Sequence, residues 1–182
     1  MNGTVGRRVR QLIRENAELI SSFPQVVARR AVTLAQRTQA AGGRSKSLGE
    51  VFSGVARSRA RTIARTEVSK ASTALTRAHS EEMGLEWYVW ESSQDERTRR
   101  SHRKMQGVLC RFDDPPDPEV LVGEKSQGHY NAGDIYNCRC YPAPLVSERE
   151  ISWPHRAYYN GRIQYLTLSQ FRFINQGERK AA

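Results

Sequence analysis

The sequence is poor in long apolar runs. Nowhere in its 182 residues does a stretch approach the roughly 20 apolar residues an α-helix needs to cross a bilayer. The first residues, Met1-Asn2-Gly3-Thr4-Val5-Gly6-Arg7-Arg8, lead into no apolar segment, so no secretory signal is read there and the chain is expected in the cytosol of its producer. Cysteine is scarce as well: Cys110, Cys138 and Cys140 make an odd number, which argues against a disulfide scaffold in a reducing compartment. A phosphate-cradling loop is missing, because Gly42-Gly43 lacks the lysine and hydroxyl ending that such a loop needs. Asp95, His102 and Glu67 could form an acid–base set. No nucleophile pairs with a base at a diagnostic spacing, however, and a non-enzymatic protein is the expectation. No internal repeat is visible.

Acidic charge is also short. There are 19 Asp and Glu against 29 Lys and Arg, a net +10. The surplus is uneven: residues 1–82 hold 15 basic against 6 acidic side chains, residues 83–146 hold 8 against 10, and residues 147–182 hold 6 against 3. A basic N-terminal half on a near-neutral body suggests a polyanionic partner, nucleic acid first among them. A solvated helix surface, or a face for an acidic protein, is the plainer alternative. The hydrophobic content of 38% is enough for one small core, and the mean hydropathy of -0.68 points to part of the chain being extended or ordered only by partners.

Three regions are expected. Residues 1–47 read as a helical basic arm, interrupted at Phe23-Pro24 and closed by a hinge at Gly42-Gly43-Arg44-Ser45-Lys46-Ser47. Residues 48–146 form the body. It opens with a long helix over 48–83, in which Ala56, Ala60, Ile63, Ala64, Val68, Ala71, Leu75 and Ala78 supply the packing face. Arg57, Arg59, Arg61, Arg65, Lys70 and Arg77 supply a basic one, and Gly84 ends the helix. Residues 147–182 read as an aromatic-rich tail that wraps the body or docks on a partner.

The centre of the chain is Trp87-Tyr88-Val89-Trp90 together with the turn and helix after it. An aromatic strand turns at Ser92-Ser93-Gln94-Asp95 and enters a short basic helix capped by Asp95. Thr98, His102 and Met105 lie on one face of that helix, which points His102 inward. Val108–Phe112 reads as a short strand and residues 113–133 as loop. Ile135–Tyr141 reads as the closing strand, ended by Pro142 and Pro144. On it, Cys138 and Cys140 share a face, with His102 expected to meet both. These three could bind zinc, with Cys110, His129 or Asp95 completing a tetrahedron. The competing reading is that His102 hydrogen-bonds the closing strand and the thiols pack as small apolar groups.

The ordered combination Ala64-Arg65-Thr66-Glu67-Val68, then Trp90, Asp95, Arg97, Thr98, Arg99 and His102, then Gly107, then Asn137-Cys138-Arg139-Cys140 resembles the phage Mu F-like family of minor head (head morphogenesis) proteins. The likeness covers about residues 55–145. Many members carry a longer helical region before the Ala-Arg-Thr-Glu element than this chain does. The resemblance implies an α+β fold: a helical N-terminal arm, a small mixed body with a few-stranded sheet, and an extended C-terminal tail. It also implies a minor capsid component of a tailed double-stranded DNA phage or prophage, acting inside the head near the portal in assembly and in DNA packaging or ejection. Expected partners are the portal protein, capsid proteins and double-stranded DNA. The DNA contact is non-specific, through Arg57, Arg59, Arg61, Lys70 and Arg77. Expected locations are the virion interior and, during assembly, the host cytoplasm. The only cofactor in view is a structural zinc. A protein-only portal or coat adaptor is the alternative, and a nuclease or ADP-ribosyltransferase effector a more distant one.

Overall fold

A computed structural model of the protein describes residues 48–179, together with positions 7, 11, 14, 25, 27–30, 32–34, 36 and 37. All the described positions before residue 48 are helical. The expected break at Phe23-Pro24 and the hinge at 42–47 lie outside the described residues.

Helix α1 spans Leu48–Glu82. It carries no proline and ends where expected. Gly84 adopts a left-handed φ of 71°, which lets the Leu85 N–H reach the Ser80 carbonyl at 2.8 Å and the Gly84 N–H reach Glu81 at 3.2 Å. That pair of bonds satisfies the last carbonyls of the helix. The chain then enters β1 (Trp87–Glu91), α2 (Arg100–Met105), β2 (Leu109–Arg111), a single 3₁₀ turn (Val120–Val122), β3 (Tyr141–Pro144), β4 (His155–Tyr159), β5 (Arg162–Leu166) and α3 (Leu168–Arg179). The architecture is α+β, with one five-stranded sheet of order β3-β1-β2-β4-β5. All neighbours are antiparallel except β2 and β4, which run parallel.

Strand β1 explains why four consecutive large residues can all be inside. Alternation sends Tyr88 and Trp90 to one face and Trp87 and Val89 to the other, and both faces are covered. Tyr88 and Trp90 join Met105, Phe112, Tyr130, Cys138 and Cys140 in one core. Trp87 joins Leu109, Ala157, Leu166 and Phe171 in the second. Residues 147–182, set apart in the sequence reading as a tail, contribute β4, β5 and α3. Phe171 of α3 packs edge-on against Trp87 with ring centroids 5.4 Å apart, and Asn175 accepts the Trp87 indole N–H at 2.6 Å.

Three local expectations are corrected. The packing face of α1 follows the expected stripe only in part: Ala78 is buried, but Ala60, Ala64 and Val68 are exposed. Val68 is 71% exposed, whereas Thr66, Thr73, Ala74, Ala78 and Ser80 are buried. Thr66 and Thr73 suit that face because loop backbone groups lie against them, the Asn137 N–H and the Ala132 carbonyl. Residues 135–140 are loop rather than strand, and strand β3 begins at Tyr141 and contains both prolines. A proline fits there because β3 is the sheet edge. Leu145 donates to Trp87 at 2.9 Å, so by alternation Pro142 and Pro144 fall at the positions whose missing N–H faces outward. Finally, Asp95 does not cap α2, whose N-cap is Arg99 with no side-chain cap bond.

Candidate functional site

The loop that carries the two close cysteines is held against α1 by side chains of the Ala64–Val68 segment. Arg65 Nη1 donates to Asn137 Oδ1 at 3.0 Å, and the Asn137 N–H donates to Thr66 Oγ1 at 2.9 Å. Further along the helix, Thr73 donates to the Ala132 carbonyl at 2.7 Å. Gly133 makes the close approach possible. With φ at +92°, a Cβ there would stand 2.3 Å from Thr73 Oγ1 and 2.8 Å from the Cys140 carbonyl. Arg99, arriving from the other side, donates to the Tyr136 carbonyl at 2.8 Å.

Asp95 sits at the rim. Its carboxylate accepts from the Arg97 N–H at 3.2 Å and the Thr98 hydroxyl at 3.1 Å, shaping the turn before α2. It also forms a two-pronged ion pair with Arg139. The hydrogen bond from Arg139, helped by Thr98, draws its pKa from 3.8 down to about 2. Arg139 thereby ties the residue between the two cysteines to the turn that launches α2.

At the centre lies His102, on the buried face of α2 with Ser101 and Met105. Its Nδ1 stands 3.4 Å from Cys138 Sγ and 3.3 Å from Cys140 Sγ. Its Nε2 stands 3.0 Å from the Tyr130 hydroxyl. Tyr130 donates to Glu119 Oε2 at 2.6 Å, and Ser101 donates to Glu119 Oε1 at 3.1 Å. A carboxylate only accepts, so the Tyr130 proton goes to Glu119 and the Tyr130 oxygen accepts from His102 Nε2–H. The imidazole is thereby set with its Nδ1 lone pair facing the sulfurs. Proton sharing with Cys140 holds the Cys138 thiol well below its ordinary range, while the same sharing together with burial pushes Cys140 up. The Cys140 N–H also donates to Cys138 Sγ at 3.3 Å.

The three ligand-type atoms of His102, Cys138 and Cys140 lie within 4.8 Å of one another, and imidazole with two thiols is a donor set suited to a borderline-soft cation. The other residues considered for completing such a set stand elsewhere. Cys110 is outside that cluster, bonds weakly to the Val108 carbonyl at 3.6 Å, and has its thiol pKa pushed up by burial. His129 is exposed and contacts the Pro115 carbonyl at 2.9 Å. Asp95 is engaged by Arg139.

The basic residues divide. Arg57 and Arg61 are exposed and Lys70 half-buried. Arg59 lies over the Tyr136 ring, 5.8 Å from its centroid, and donates to its hydroxyl at 3.4 Å. Arg77 pairs with Glu81 at 2.8 Å. Glu67 keeps one carboxylate oxygen buried without a partner among the described residues. Trp90 packs edge-on against His102 with centroids 5.7 Å apart. Arg97 is exposed and lines, with Ser93, Thr98, Arg99, Asn137 and Arg139, a cavity of ≈ 60 Å³ that reaches His102, Cys138 and Cys140.

Reading the sequence missed Glu119, Tyr130, Thr73 and Gly133. The first two sit in long loops where no period marks an inward residue, and each is fixed only by what it meets across the fold. A glycine at 133, with hydroxyl residues on one face of α1, was the available clue to a close crossing.

Residues 2–142 match the family described as Phage Mu protein F like protein. The chain is 29% identical over 149 residues to an uncharacterized protein of Haemophilus influenzae, covering 80% of this chain and 31% of that protein. It is 29% identical over 140 residues to the minor head protein GP7 of Bacillus phage SPP1, covering 69% of this chain and 46% of that protein. The chain thus spans about a third to a half of the length of these relatives. No solved structure matches it significantly.

Proposed function

The chain belongs to the phage Mu protein F-like family, and from that premise we propose that it is a minor head protein acting in head morphogenesis of a tailed double-stranded DNA phage or prophage. The likeness over 140 residues to a phage minor head protein carries this reading. The interlock around residues 131–140 supports it, since the residues shared with the family pattern (Arg65, Asp95, Arg99, His102, Asn137, Cys138, Arg139 and Cys140) bond to one another or to the backbone of that single loop. Its role is structural rather than catalytic. Its partners are capsid proteins and the portal, its place is inside the head near the portal, and its action falls in assembly and in DNA packaging or ejection.

Contact with DNA is non-specific and made through phosphates. Arg57 and Arg61, one turn apart on α1 and exposed, provide cations, and no base-reading motif accompanies them. Mobility shift with unrelated duplexes is expected to show binding at low salt that weakens as salt rises. Changing Arg57→Glu together with Arg61→Glu is expected to weaken it and to flatten the salt dependence by a slope of about 2. Absence of any shift at low salt ends the DNA reading.

The second reading is a protein-only adaptor on an acidic portal or coat surface. One observation favours it: Arg59, Arg65, Arg77, Arg99 and Arg139 are committed to partners within the chain, which thins the supply of cations for phosphates. Pull-down with purified portal, in the presence and absence of competing DNA, separates the two. Incorporation of the chain into assembled heads tests the parent proposal, and its exclusion from heads would refute it.

A further inference from the structure

We propose that His102 Nδ1, Cys138 Sγ and Cys140 Sγ bind one zinc ion, with the fourth coordination position held by a solvent oxygen in the arginine-walled cavity beside them. This site rests on the geometry of the loop alone and does not depend on the head-protein reading.

Two sulfurs converge on a single nitrogen. One imidazole lone pair can accept one S–H, yet both sulfurs stand within 3.4 Å of Nδ1. Without a metal, the second thiol can bond only to the other sulfur and not to the imidazole it faces. A metal ion on the lone-pair axis accounts for both. Zinc bonds of about 2.3 Å to sulfur and 2.0 Å to nitrogen, opened to a tetrahedral angle, put sulfur and nitrogen about 3.5 Å apart. The observed 3.4 and 3.3 Å lie close to that separation.

The surrounding shell also suits a metal. Zinc-bound histidines are usually held at their other nitrogen by a hydrogen-bonded acceptor that fixes the tautomer. Here Tyr130 and Glu119 do so, leaving Nδ1 as the bare donor. Thiolates need N–H donors, and the Cys140 N–H reaches Cys138 at 3.3 Å. The Trp90 indole N–H is buried without a hydrogen-bond partner among the described residues, and its ring packs edge-on against the His102 imidazole.

Cys110, His129 and Asp95 are placed or paired away from the cluster, so the fourth ligand comes from elsewhere. The cavity of ≈ 60 Å³ adjoins all three ligands and is large enough for a water. Arg99 lines it and keeps Nη1 buried and unpartnered among the described residues. That N–H is a ready donor to an oxygen on the metal. The tight Cys-X-Cys spacing works because the segment is a loop: Asn137 turns the chain in a left-handed conformation, φ 54°, and the N–H of Cys140 folds back onto Cys138.

The test uses the full chain purified without chelator. Elemental analysis and native mass spectrometry are expected to show one zinc per chain. Zinc-edge X-ray absorption is expected to show two sulfurs and two light atoms. Tyr130→Phe keeps every ligand but removes the hydroxyl that sets the tautomer, and it should weaken zinc by about 10–100-fold in chelator competition. Cys140→Ser should lose the metal. Cys110→Ala should keep it at full stoichiometry. If Cys140→Ser fails to fold, chelator titration of the unaltered chain, with a fall in Tm that added zinc restores, reads the same point. A folded chain with no bound metal and free thiols, a Cys138–Cys140 disulfide, or a third sulfur in the absorption spectrum would each overturn the proposal. None of these results bears on whether the chain enters heads.

Discussion

The imidazole of His102 is engaged at both nitrogens, by Tyr130 on one side and two sulfurs on the other, and the residues around it are tied in turn. Asp95 and Arg139 show how such ties depend on pH. The folded-state pKa of Asp95 lies at about 2, below its ordinary 3.8. The ion pair therefore contributes its full stabilisation above the ordinary carboxylate range and loses it as pH falls through the folded value. Comparing the Tm of the unaltered chain with that of Asp95→Asn should give a difference that is constant from pH 7 down to about 4 and shrinks as pH approaches 2. A difference undiminished at the acid end would mean that the carboxylate acts there without its charge.

At the scale of elements, the contact that matters is a loop laid across a helix. Residues 131–140 run over α1 with Thr66 and Thr73 answering loop backbone groups, and Gly133 provides the room. Gly133→Ala adds a Cβ into Thr73 and the Cys140 carbonyl at a left-handed φ. It should cost on the order of 2–4 kcal/mol, combining backbone strain with overpacking. Thr73→Val keeps the volume and leaves the Ala132 carbonyl unanswered, at about 1–3 kcal/mol. Urea unfolding of both variants checks these values, and a Gly133→Ala chain as stable as the parent would contradict the crossing. The sulfurs are carried by this same loop, so slackening it should also loosen the His102 cluster.

At the scale of the whole molecule, the described residues form one sheet with both faces covered. Strands β4 and β5 extend it beyond β2, and α3 closes the face opposite His102. Phe171 is 4% exposed and lies between Trp87 and Trp153, the latter at 4.9 Å between ring centroids. Phe171→Ala should therefore cost about 3–5 kcal/mol in global unfolding, as a core aromatic does. A tail docked loosely on a finished body would give a change near zero. The measurement decides whether residues 147–182 belong to the folding unit of β1 and β2.

The long helix with its glycine stop, the aromatic strand, the inward histidine and the proline-rich loop were legible from residue type and spacing, because each follows from local backbone chemistry. Only the tertiary structure decided the rest. Cys138 and Cys140 lie on a loop and not a strand, Asp95 answers Arg139 instead of capping a helix, and Thr66 and Thr73 of α1 answer loop backbone groups. The reason is common to all three: each residue's role is set by a partner from 36 to 72 positions away. No periodicity within a short window encodes which distant backbone group will arrive opposite a given side chain.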